Sequence, residues 1–172
     1  MAAEPLFGRL IRGVIGGVVS GMIFAGVTMW FASTQPPGKA EMPLHMIASI
    51  VQGGKEAIMA GQTSIGVGLA VHLVLSAAFG IVFALIAPLL RSNGTAALVG
   101  TVYGALLYVV NFLVLSPLLF PVFQDANQPF ELFAHVVFGT VLAFFFYGSG
   151  VRRGEGFLSI GPPERAPARP LR

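Results

Sequence analysis

Residues 65–90 read IGVGLAVHLVLSAAFGIVFALIAPLL, twenty-six positions without one charged side chain. About 20 residues of helix cross the ~30 Å hydrocarbon core of a bilayer, so this run is long enough to span it. In lipid the backbone must satisfy its own hydrogen bonds, and a single apolar run does so only as a helix. The same setting changes the meaning of His72, because a polar side chain inside a membrane must have a partner or a purpose. Three more runs, Leu10–Ala32, Ala96–Leu119 and Phe130–Gly150, are predominantly apolar.

The whole chain agrees with that reading. Of its 172 residues 55% are hydrophobic and 10% are charged, and the mean hydropathy is +0.83. Soluble domains carry about 25% charged residues. The expectation is an all-α integral membrane protein, a four-helix bundle over residues 1–150 with spans at about 10–32, 65–90, 96–119 and 130–150. A basic, proline-rich tail over 151–172 buries too little apolar surface to fold alone and is expected to be disordered. There is no cysteine, which excludes disulfides, iron–sulfur clusters and covalently attached haem. The net charge of +3 does not point to nucleic acid, because the basic residues flank the apolar runs and form no amphipathic face. The lipid bilayer is the partner they suit.

Arg9 and Arg12 ahead of an apolar run imitate a secretory signal. The run exceeds the usual 7–15 residues, and Phe31-Ala32-Ser33 is a poor cleavage site, so it reads as a retained span. Eight of the ten basic residues lie on one side: Arg9, Arg12, Arg91, Arg152, Arg153, Arg165, Arg169 and Arg172. Only Lys39 and Lys55 fall on the other. By the positive-inside rule both termini are cytoplasmic.

Between the first two spans, Leu44–Ala60 has helical spacing of Ile47, Ile50, Val51 and Ile58, which predicts a short interfacial helix in the first outer loop. His45 begins it and is expected to be solvated. In the turn Arg91–Thr95, Asn93-Gly94 suits a left-handed helix stop and Thr95 a helix cap. So short a connection predicts that spans two and three are antiparallel neighbours. Pro117 and Pro121 are expected to end span three. Pro129 and Glu131 suit the first turn of span four.

Small residues recur every fourth position at Gly13, Gly17, Gly21 and Ala25, a face along which helices approach closely in lipid. Laying Gly17 and Gly21 on Gly100 and Gly104, and Ser76–Gly80 on His135–Gly139, suggests a parallel 2+2 internal repeat. Thr28 then falls on Asn111 and His72 on Glu131. Gly13, Gly17, Gly21, Gly100, Gly104 and Gly139 are the expected helix-packing positions.

His72 and Ser76 share one face of span two, and Glu131 and His135 one face of span four. Asn111 reaches a similar depth on span three. Three readings of His72, Ser76, Asn111, Glu131 and His135 follow. They form a structural polar cluster that sets helix register; or His72 and His135 are axial ligands of a b-type haem, making the protein an electron carrier; or His72, Glu131 and His135 form the metal or proton site of a small transporter. No motif of a soluble hydrolase, zinc protease or nucleotide-binding enzyme occurs.

The run His72-Leu-Val-Leu-Ser76-Ala-Ala-Phe-Gly80, with Tyr103-Gly104, the Pro117/Pro121 pair and His135-Val-Val-Phe-Gly139, resembles small uncharacterised bacterial four-span inner-membrane proteins. The resemblance covers about Leu10–Gly150. It implies a multi-pass location in a bacterial inner membrane and brings no activity, cofactor or catalytic residue with it. The expected function is noncatalytic, an accessory or structural subunit that associates with other membrane subunits or with itself.

Overall fold

The computed structural model describes residues 5–148, and every regular element among them is helical. The first helix, α1 (Leu6–Thr34), is followed by α2 (Met42–Gln52) and α3 (Gly54–Met59). Next come α4 (Ile65–Ile86), prolonged by a 3-10 turn to Leu89, and α5 (Asn93–Tyr108). A π-helical segment, Val109–Leu115, leads into α6 (Ser116–Leu119), and α7 (Gln128–Phe144) closes the described chain. Three stretches, Leu6–Thr34, Ile65–Leu89 and Asn93–Leu119, are long and apolar enough to cross a membrane, which makes this a helical membrane protein. The apolar helix α7 is shorter. The tail over 151–172 lies outside the described residues.

Local chemistry sets the helix ends, with some differences from expectation. At the start of α5 the cap is Ser92, whose side chain accepts from the Thr95 backbone N–H at 3.0 Å, while Asn93 and Gly94 are already helical. A serine can sit in the extended conformation an N-cap needs and still reach back to the first free N–H groups. Asn127 caps α7 in the same way through Phe130, with Pro129 and Glu131 in the first turn as the sequence predicts. Pro117 does not end the third long stretch. It lies within α6, preceded by the π-helical segment, and the helix stops at Phe120 ahead of Pro121. A proline ring in an α-helix collides with the carbonyl one turn back, and the wider π turn is one way to carry the chain past it. The expected single helix over Leu44–Ala60 is two helices, broken where Gly53 and Gly54 take left-handed backbone angles (φ 102° and 69°).

Glycines choose the helix partners. Helix α1 packs along α4, and α5 along α7. At the first crossing, a Cβ on Gly13 would lie 2.5 Å from the Gly80 carbonyl oxygen and 2.8 Å from the Ala84 Cβ. At the second, a Cβ on Gly100 would lie 2.6 Å from the Gly139 carbonyl oxygen and 2.5 Å from the Ala143 Cβ. Gly17 meets the Ser76 carbonyl as Gly104 meets that of His135. Backbone therefore rests on backbone at both crossings, which no larger residue permits. A third contact joins α1 to α7, where Phe31 stacks on Phe130 with ring centroids 3.7 Å apart.

Helices α4 and α5 are an exception to the expected pattern. Although only a short turn joins them, they do not pack closely along their length. Each is held by its glycine-matched partner instead. Part-way along, the Tyr103 hydroxyl donates to the Phe79 carbonyl at 2.8 Å, and the Phe83 and Tyr103 rings touch. Beyond that bridge the two helices leave a gap.

The ends of the helices are tied together. At one end the Arg12 guanidinium donates to the Phe145 carbonyl at 3.2 Å and the Gly148 N–H to the Asn93 side chain at 3.1 Å. A cation at the carbonyl end of α7 also suits the helix dipole. At the other end Lys55 pairs with Asp125 at 2.6 Å, linking α3 to the turn before α7. More than half of each side chain is exposed, so this ion pair adds little stability. It does place the two long connections at one end.

Candidate functional site

The gap between α4 and α5 is a cavity of about 400 Å³, closed behind by α1 and α7 and covered by α2. All five residues of the expected polar cluster, His72, Ser76, Asn111, Glu131 and His135, line it. Apart from Thr28 the remaining wall is apolar, including Phe24, Leu75, Phe79, Leu107, Val110 and Phe138. Leu75 on α4 and Val110 on the π-helical segment that continues α5 are exposed, so the mouth opens sideways between the two helices.

Helix periodicity explains how the lining is assembled. His72, Ser76 and Phe79 follow one face of α4, and Glu131, His135 and Phe138 one face of α7, at identical spacing. Seven residues separate His72 from Phe79 and Glu131 from Phe138, a rise of about 10 Å. The polar groups occupy the end near the long loops. Phe79 and Phe138 meet edge to face at 6.4 Å on the far side. Asn111 enters on the π-helical segment, where the wider turn rotates side chains out of α-helical register.

The polar residues share the cavity without bonding to one another as a network. His72 Nε2 donates to the Gly21 carbonyl of α1 at 2.8 Å, and the Ser76 hydroxyl donates to the His72 carbonyl at 2.7 Å. His135 Nδ1 donates to the Glu131 carbonyl at 2.8 Å. Since a carbonyl only accepts, each ring nitrogen named carries the proton, and in the neutral imidazole the other nitrogen is left an acceptor. Among the described residues neither the Asn111 amide nor the Glu131 carboxylate has a side-chain hydrogen bond. His72 thus fixes the register of α4 on α1, while Asn111 and Glu131 remain available to whatever occupies the cavity.

A haem held between His72 and His135 does not fit this arrangement. Both imidazoles rest against the same phenyl ring, Phe24, at centroid distances of 5.6 and 4.9 Å. The Nε2 atom of His72 is already committed to Gly21. Nor do His72, Glu131 and His135 converge as metal ligands: among the described residues no group of three His, Cys, Asp or Glu side chains could hold an ion. Of the packing positions, Gly13, Gly17, Gly21, Gly100, Gly104 and Gly139 all lie at close crossings, with Gly80 as an unforeseen partner. Gly13 and Gly17 meet Gly80 and Ser76 much as Gly100 and Gly104 meet Gly139 and His135.

Sequence reasoning missed Phe24, which touches both histidine rings, and Tyr103, which bridges α4 to α5. Nothing in the sequence separates Phe24 from the lipid-facing aromatics around it. His45, expected in solvent, instead shares a 2.8 Å hydrogen bond with Thr63 and is half-buried. The fold and the cavity together define a helical membrane protein with a laterally open, mainly apolar chamber. Comparison with known protein families, curated protein sequences and solved structures finds no match to this chain.

Proposed function

We propose that this protein crosses a cytoplasmic (inner) membrane four times, with both termini inside, and holds an apolar small molecule in the cavity between α4 and α5. The role is noncatalytic, that of an accessory protein working beside other membrane subunits or a second copy of itself. The observation that carries this reading is the cavity, a wall of aliphatic and aromatic side chains with polar groups gathered at one end. That is the usual composition of a small-molecule site.

The fourth crossing is α7. Its 17 residues rise about 25 Å, and turn residues through Gly148 extend it. Packing against α1 and α5 supports that placement, as does Arg12 at its carbonyl end. With the long loops at one end and the arginines at the other, the positive-inside rule orients the four helices. A fluorescent reporter that matures only in the cytoplasm is expected to light up when fused after Gly148 and to stay dark when fused after Asp125. The reverse pattern would overturn the orientation.

The two glycine crossings also support an internal repeat. Under the pairing of Gly13 with Gly100 and Gly80 with Gly139, matched positions of the two halves supply both walls of the cavity: His72 with Glu131, Ser76 with His135, Phe79 with Phe138. Two half-sites facing each other across an axis along the membrane normal would create such a chamber.

The cavity is tested with a photoactivatable long-chain diazirine alcohol added to the protein in lipid nanodiscs. Labelling is expected to saturate near one per chain and to map to peptides carrying Leu75, Phe79, Leu107 and Val110. Leu75→Trp, which puts an indole in the mouth, should cut it at least fivefold. Labels spread evenly over outward-facing Leu85, Leu98 and Leu106 would sink the reading.

A further inference from the structure

We propose that the occupant is an amphiphile with a protonated amine head, seated with the amine at Glu131 and its apolar body against Phe79 and Phe138. This rests on the cavity reading above. Beside the Asn111 amide, which both donates and accepts, the polar end offers acceptors: the Glu131 carboxylate and the free Nε2 of His135, whose Nδ1 proton is spent on the Glu131 carbonyl. An ammonium group brings donors and no acceptor. No lysine or arginine lines the cavity, and no described residue forms an ion pair with Glu131. A carboxylate left alone beside lipid is costly, and either a proton or a joining cation relieves it; a protonated amine supplies the cation.

Aromatic rings strengthen the match. Phe24 and Phe112 stand edge to face with His135 at 4.9 and 5.3 Å, and Phe123 packs on Phe112 at 5.7 Å. Together they border the acceptor end, where ring faces attract cations. A phosphate or sulfate head would meet the Glu131 charge with like sign. An alcohol would satisfy one acceptor and leave the charge unpaired. A membrane aminolipid and a lipophilic amine from outside present the same chemistry.

The test is competition against the diazirine label on the unaltered protein, with dodecylamine, dodecanol and dodecyl phosphate at neutral pH. The amine is expected to displace the label at a concentration at least tenfold below the alcohol, and the phosphate last. Glu131→Gln should remove that tenfold advantage while leaving dodecanol unchanged. Equal potency of amine and alcohol, a preference for the phosphate, or an unaffected amine in Glu131→Gln would overturn the assignment while the chamber stands. Failure of all three to displace the label overturns the chamber itself. The competitor series decides without the variant should Glu131→Gln not accumulate. An aminolipid recovered with the protein, against a free amine preferred over it in mixed vesicles, distinguishes the two sources.

Discussion

Gly80→Ala is expected to destabilise the protein by about 3 kcal/mol, the upper part of the range for overpacking a tight interior. The added methyl would press into the backbone of α1, against the Gly13 carbonyl and the Gly17 Cα. Neither neighbour is a flexible side-chain tip, so relief requires the helices to move apart. Separation would also loosen the His72 hydrogen bond to Gly21 that lies along the same seam. Gly139→Ala should cost about the same, because its Cβ would strike the Gly100 carbonyl and the Gly104 backbone. Gly26→Ala serves as the contrast: nothing lies within 4 Å of a Cβ there. It should be neutral or stabilising by up to about 1 kcal/mol, from the better helix propensity of alanine. Reversible unfolding in detergent, followed by circular dichroism, measures all three. If Gly80→Ala unfolds like Gly26→Ala, the backbone-to-backbone crossing is wrong.

The second large effect is expected at Gly68, where α2 lies on α4. A side chain there would run into the carbonyl of Leu44, so Gly68→Val should lift α2 off the cavity it covers. Leu44, Ala48 and Ser49 are the buried residues of that short helix, and lost packing of this kind is worth about 1–3 kcal/mol. Each 1.4 kcal/mol is a tenfold shift in equilibrium. The chain contains no cysteine, so Met46→Cys gives a single probe on the cavity-facing side of α2. Its labelling by a water-soluble maleimide should quicken tenfold or more when Gly68→Val is added. An unchanged rate would mean that α2 is not a cover held by this contact.

Much of this organisation was legible in the residues. The expected spans at 10–32, 65–90 and 96–119 overlie the three long apolar helices, because twenty or more apolar residues in a row have one stable form in lipid. The small residues at Gly13, Gly17, Gly100, Gly104 and Gly139 stood out through fourfold spacing, and each sits at a crossing. Asn111, Glu131, His72 and His135 do face a common space. Groups costly to expose to lipid gather inside.

Other features were not legible there. The π-helical passage before Pro117 was not foreseen, because a proline announces disruption without saying which form it takes. The splay of α4 from α5 contradicts loop length, since a short turn limits how far two ends part but not the angle at which helices diverge.

The amino-acid order alone settled the solvent, the helical class and which helix faces carry small or polar residues, for these follow from local periodicity and transfer cost. Tertiary structure decided which faces meet. It paired α1 with α4 and α5 with α7 through close glycine contact, left the α4–α5 side open, and turned a row of hydrogen-bonding residues into one end of a chamber. Helix rotation and partner choice depend on the fit of whole surfaces, and no stretch of chain carries that information by itself.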